Sequence, residues 1–194
     1  MAIIMPVPDR LTRLTLAAQL PGFLRPGDPL ISALANAPGQ RVFTLTLPAI
    51  ASDRRIADAA TPAGWRFLAG AGAQTASAEV SEPIDGNPPK LRSVSRGPQI
   101  AHALQATRQS EALDRASETD FELRVLRVPG LLIEAIWLKQ QGGDDDLIIP
   151  YLTPLPQADA SRVLPVREFL EILRTSPAAR KDADDKPGYR GARI

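Results

Sequence analysis

Hydrophobic and polar positions alternate most clearly between Arg41 and Leu47, with Val42, Thr44 and Thr46 on one side and Phe43, Leu45 and Leu47 on the other. A period of two built from β-branched and aromatic residues predicts a strand. Trp65–Leu68 and Thr75–Val80 predict two more, joined through Gly70-Ala71-Gly72 as a hairpin. The strongest pattern runs from Phe121 to Leu138, where two β-rich runs, Phe121–Val128 and Leu131–Leu138, flank Pro129-Gly130 and predict a second hairpin. Pro-Gly favours a type II turn, which suits a two-residue hairpin poorly, so a four-residue loop is the alternative. One face of this hairpin carries Phe121, Leu123, Val125, Leu132, Ile136 and Leu138, the other Leu126, Val128, Leu131, Ile133, Ala135 and Trp137. A hairpin apolar on both faces belongs in the middle of a fold, covered on each side. Leu147–Leu152 predicts a further strand, with Pro150 placing it at an edge.

Helical spacing is found in two longer segments. Ile100, Ala103, Leu104 and Thr107 form one stripe, broadened by Ala112 and Leu113, and Pro98 occupies the first helical position of a helix reaching to Ala116. Val166–Arg174 presents Phe169, Leu170 and Leu173 on one face. Shorter helices are expected after Asp9, over Leu30–Ala35, and over Ser52–Ala60 with Asp53 near its start, and Ala2–Met5 suits a short strand. Residues 81–97, rich in Pro, Gly, Ser and Asn, read as an exposed loop long enough to be functional. The fold expected is α+β: a mainly antiparallel sheet of about five to six strands with two main helices packed on it. Residues 1–40 form an N-terminal segment packing on the domain, 41–175 the core, and 176–194 a polar tail expected to be disordered and dispensable for folding.

Composition narrows the picture without naming a function. The 194 residues are 44% hydrophobic and 23% charged, values of a globular chain large enough for one core. No cysteine is present, which removes disulfides, thiolate metal sites and cysteine nucleophiles together. The formal charge is +1, against the clear positive excess of a dedicated nucleic-acid binder. Lysine is confined to Lys90, Lys139, Lys181 and Lys186, and the Arg- and Ala-rich usage suggests a GC-rich bacterial source. No apolar run approaches the ~20 residues that span a bilayer. The beginning of the chain has no signal-peptide pattern, so a soluble cytoplasmic protein is expected.

Each candidate for chemistry meets a plainer reading. His102, the single histidine, falls on the polar side of its helix with no nucleophile or carboxylate placed beside it, so a solvated residue is expected. Asp144-Asp145-Asp146 lacks the ligand spacing of a calcium loop and reads as a hydrated turn; no metal or other cofactor is expected. Arg92, Arg96, Arg108 and Arg115 read as scattered solvated charges, since no phosphate-binding glycine loop accompanies them. Trp65 and Trp137 read as core, and Tyr151, beside Pro150 on the expected edge strand, as a partner contact.

Glu134 is the informative residue, alone in charge among Leu131–Leu138 and on the apolar side with Leu132, Ile136 and Leu138. An unpaired carboxylate there would cost several kcal/mol. Hairpin geometry brings Arg127 diagonally across to it, giving a structural Glu134–Arg127 pair or a pair with an arginine from elsewhere, or, alternatively, a tuned acid or base in a cleft. The leading functional expectation is a non-enzymatic interaction or accessory protein with a protein partner or a second copy. The rival is an enzyme or small-ligand-binding domain with a Glu/Arg site around Glu134.

Overall fold

The computed structural model describes residues 3–52, 54–71, 74–84, 86–114, 119–158 and 162–176. The expectations for Asp53, Gly72, Arg115 and the tail after Ser176 lie outside these residues. In chain order the elements are β1 (Ile3–Ile4), α1 (Arg10–Gln19), α2 (Pro29–Asn36), β2 (Gly39–Thr44), α3 (Leu47–Ala51), α4 (Ile56–Ala59), β3 (Thr61–Ala71), β4 (Gln74–Ser81), β5 (Leu91–Arg96), α5 (Pro98–Asp114), β6 (Phe121–Val128), β7 (Ile133–Gln140), β8 (Leu147–Leu152), β9 (Leu164–Pro165) and α6 (Val166–Thr175). Among the described residues this is an α+β fold with nine strands in one sheet and six α-helices, larger than the five to six strands and two main helices expected. The excess in strands comes from β5, whose composition resembles a loop, and from β9, two residues long, and the excess in helices from the short ones beside the two main helices.

The sheet order is β5-β4-β3-β2-β6-β7-β8-β9, with β1 beside β6. Neighbours are antiparallel except for β2 with β6 and β1 with β6. The β6–β7 hairpin pairs Val128 with Ile133, so its loop is the four-residue form, a 3-10 turn over Pro129–Leu131 followed by Leu132 at φ 54°. That turn turns Leu132 outward, 73% exposed, while the remaining apolar residues of the hairpin keep the two faces expected.

One face of the sheet packs α5: Ile100, Ala103 and Ala106 meet Leu68, Leu123, Val125, Ile136 and Ile149. The other face carries two helical layers. Leu16, Leu30 and Leu34 of α1 and α2 cover Trp65, Phe67, Ala78 and Val80, and Phe169 and Leu173 of α6 cover Leu126, Ala135, Trp137 and Ile148. Local chemistry starts these helices. Asp9 accepts from Thr12 N at 2.8 Å, Asp28 accepts from Leu30 N at 3.0 Å with Pro29 following it, and Pro98 opens α5 after Gly97. Gly64, at φ 140°, lets β3 press against β4, since a Cβ there would fall 2.2 Å from the carbonyl oxygen of Val80.

Residues 81–97 are not simply a loop, because β5 lies within them. Its sequence, Leu-Arg-Ser-Val-Ser-Arg, offers only two apolar side chains, and its order comes from pairing with β4 and from Gln19 Oε1, which accepts from Leu91 N at 2.8 Å. β8 is likewise not a free edge throughout, since β9 pairs with Leu147 and Ile148. Pro150 lies past that stretch and beside a bulge, both places where a missing N–H is tolerated. No described helix is long and apolar enough to cross a membrane.

Candidate functional site

Six consecutive strands each contribute one polar side chain to a network beneath α5: Glu79 (β4), Arg66 (β3), Gln40 (β2), Arg127 (β6), Glu134 (β7) and Tyr151 (β8). The register explains the convergence, because Arg66 lies opposite both Gln40 and Glu79, and Arg127 opposite Glu134. Tyr151 joins through the β8 bulge: Leu152 pairs with Glu134 and Pro150 with Ala135, leaving Tyr151 as the extra residue.

Arg66 is 2% exposed and Tyr151 4%. The Arg66 guanidinium donates to Gln40 Oε1 at 3.0 and 3.2 Å, to Glu134 Oε2 at 3.3 Å, and to the Tyr151 hydroxyl oxygen. The Tyr151 hydroxyl donates in turn to Glu134 Oε2 at 2.7 Å. Arg127 Nε donates to Glu134 Oε1 at 2.7 Å, and its two terminal nitrogens grip the Glu79 carboxylate, one of them at 2.8 Å. Gln40 Nε2 donates to Thr107 Oγ1 at 3.0 Å, which ties the network to α5. Burial pulls the Arg127 pKa down, but the hydrogen bonds and charges of Glu79 and Glu134 outweigh it and hold Arg127 above the ordinary arginine value. Burial lifts the Tyr151 pKa above the ordinary tyrosine value; Glu134 adds to the rise and Arg66 opposes it.

Two arginines and two glutamates balance in charge, and both oxygens of Glu134 already accept protein hydrogen bonds. Such a closed set suits a structural clasp rather than an acid or base waiting for a substrate. Glu134, Arg127 and Glu79 are a quarter exposed, and a recess of about 260 Å³ bordered by Pro129, Leu132 and Leu152 opens beside Arg127 and Glu134. Tyr151 is corrected from an exposed partner contact to a buried member of the clasp, since the bulge turns its ring inward. His102 is exposed on α5 and takes no part in the network.

The opposite face carries a row that periodicity does not reveal. Trp65, Arg41, Arg124 and Trp137 are register partners across β3, β2, β6 and β7, so two arginines stand side by side between the two tryptophans. Arg41 stacks on Trp65 at 4.9 Å, and Arg124 on Phe43 at 4.7 Å and on Trp137 at 4.8 Å. Each has its own carboxylate: Arg41 pairs with Glu82 at 2.6 Å and Arg124 with Glu122 at 2.7 Å. Trp65 Nε1 and Glu82 Oε2 are buried here without a hydrogen-bond partner in the protein. Only knowledge of which strands are neighbours could have assembled this row.

The third feature is the β5 edge. β5 ends the sheet, and among the described residues no strand pairs with its outer side. An open groove of about 860 Å³ runs beside it, lined by Phe23, Pro26, Gln74, Val94 and Arg96, with Phe23 49% exposed. Arg25, Lys90 and Arg92 are exposed around the strand and groove, while Arg96 is held by Asp28 at 2.5 Å. The chain matches no protein-family model, no curated protein and no solved structure.

Proposed function

We propose that the protein is a non-enzymatic interaction module that takes an extended, acidic segment of a partner protein onto the outer edge of β5. The single observation that carries this reading is an edge strand of six residues without a strand neighbour, set beside an open groove. An edge strand offers unpaired backbone donors and acceptors to an incoming strand, while an adjacent pocket reads its side chains. Phe23 and Val94 supply the apolar contact. The charge around the strand selects the occupant. Arg25, Lys90, Arg92 and Arg96 outnumber Asp28, so an acidic segment is attracted, and a second copy of β5 would set arginine against arginine. The rival reading, an enzyme or ligand site centred on Glu134, has less support because both carboxylate oxygens already accept hydrogen bonds from the protein.

The test is site-specific photo-crosslinking in the native cell from position 92 or 95, with position 102 on α5 as control. The expected result is one heterologous adduct from β5, absent from position 102 and lost in Arg25→Glu. An adduct of the chain with itself, or adducts equal at all three positions, would overturn the reading.

A further inference from the structure

At the opposite end of the sheet from β5, a cavity of about 330 Å³ lies between α4, the β7–β8 turn and α6. Three separate parts of the chain bring cations to it: Arg54 and Arg55 before α4, Lys139 on β7, and Arg167 and Arg174 on α6. Lys139 is one of four lysines among the 23 basic residues of a chain whose net charge is +1. With Asp144, Asp146 and Glu171 in the same lining, five cations face three carboxylates, a positive excess that a bound anion balances.

The carboxylates in the lining are largely spoken for. Asp146 is buried, accepting from Trp137 Nε1 at 2.8 Å and Gln140 N at 3.0 Å, and it lies 3.3 Å from Lys139 Nζ. Asp144 pairs with Arg55 at 2.7 Å, and Arg55 also holds Asp58. Glu171 is the remaining acid of the lining. Backbone carbonyls fix two of the cations in place: Lys139 donates to those of Gln140 and Gly143, and Arg174 to those of Ile50 and Ser52. Arg54 and Arg167, both exposed, make no ion pair among the described residues and are the two cations best able to turn to a ligand. Ile56 and Leu170 add an apolar wall.

We propose that this cavity binds a small phosphate-bearing molecule, its phosphate held by Arg54 and Arg167 and its carbon part lying against Ile56 and Leu170. Guanidinium groups match phosphate oxygens in pairs, and the volume is at the small end of ligand sites, enough for a phosphate with a modest organic group. The proposal does not depend on the β5 reading, because the two sites lie at opposite ends of the sheet.

The experiment is calorimetric titration of the full chain with phenyl phosphate, with inorganic phosphate and with phosphatidic acid vesicles, at constant ionic strength. The expected result is saturable 1:1 binding of phenyl phosphate, tighter than inorganic phosphate. It should weaken about tenfold or more in Arg54→Gln/Arg167→Gln and stay unchanged in Arg108→Gln, a substitution on the exposed side of α5. Circular dichroism of the double variant checks that it is folded. Equal binding by the double variant, no binding by the parent, or binding only to phosphatidic acid vesicles would overturn the proposal.

Discussion

The two faces of the sheet handle arginine in different ways. Beneath α5, Arg66 and Arg127 belong to one connected set in which each group satisfies the next. On the opposite face Arg41 and Arg124 stand next to each other yet form two separate units, each stacked on an aromatic ring and paired with its own glutamate. Arg66 makes the difference. It is 2% exposed and depends on protein partners alone, and it links Gln40, Tyr151 and Glu134, whereas the other charged members of the clasp are exposed to much the same degree as the pairs opposite, at 24–25% against 18–23%. A connected network held by one buried cation concentrates free energy in that member, while separate pairs with contact to water spread it thinly.

The comparison can be broken at its strongest point first. Replacing Arg66 by Met should lower unfolding stability by about 4 kcal/mol in urea denaturation, since it leaves Glu134 and Gln40 short of donors in a buried site. A loss below about 1 kcal/mol would show that the buried network contributes no more than a surface pair. Glu134→Ala should cost about 3 kcal/mol, and Arg127→Met/Glu134→Leu should cost less than the sum of its two single changes, because each alone strands the other's charge. Strictly additive single and double variants would separate the two residues energetically.

Alkaline pH sharpens the same contrast. The Tyr151 pKa is raised in the folded protein, so its contribution is present in full below the ordinary tyrosine value of about 10 and fades as pH rises beyond it. The unfolded chain ionises this phenol first. The parent should therefore lose about 1.4 kcal/mol per pH unit above about pH 10 relative to Tyr151→Phe, as read from denaturation curves at successive pH values. Matching slopes would remove Tyr151 from the titration. The smallest effect is expected opposite, where Arg124→Met should cost about 1 kcal/mol through lost stacking and pairing. A loss as large as that of Arg66→Met would erase the distinction between the faces.

Much of the sheet centre is legible in the sequence, because Phe121–Val128 and Ile133–Gln140 carry enough β-branched and apolar residues to fix both their type and their faces. Glu134 stands out there as the one charge in an apolar run, and Arg127 follows from local hairpin geometry. Arg66, Glu79 and Gln40 do not follow. They sit on strands whose neighbours are set by topology, and β2 meets β6 only through a long-range parallel pairing. Burial of Tyr151 does not follow for a related reason: Pro150 suggests an edge, but the bulge that turns the next ring inward is a property of the paired strands. β5 was hidden by its serines and arginines, which resemble loop composition until an edge position explains them.

The parallel seam of β2 with β6 also governs how the chain must find its fold. On one side of it β3, β4 and β5 pair in sequence order, and on the other β6, β7 and β8 do the same, so each half can zip through near neighbours. Arg41–Thr44 meets Arg124–Arg127 only after about 80 intervening residues have been drawn into a closed loop, a loss of chain freedom that no local contact offsets in advance. The join is therefore expected late, with two preformed half-sheets waiting on one long-range encounter, and refolding in milliseconds to seconds rather than microseconds. The arginine row and the clasp beneath α5 both straddle that seam, so neither exists until the halves have met.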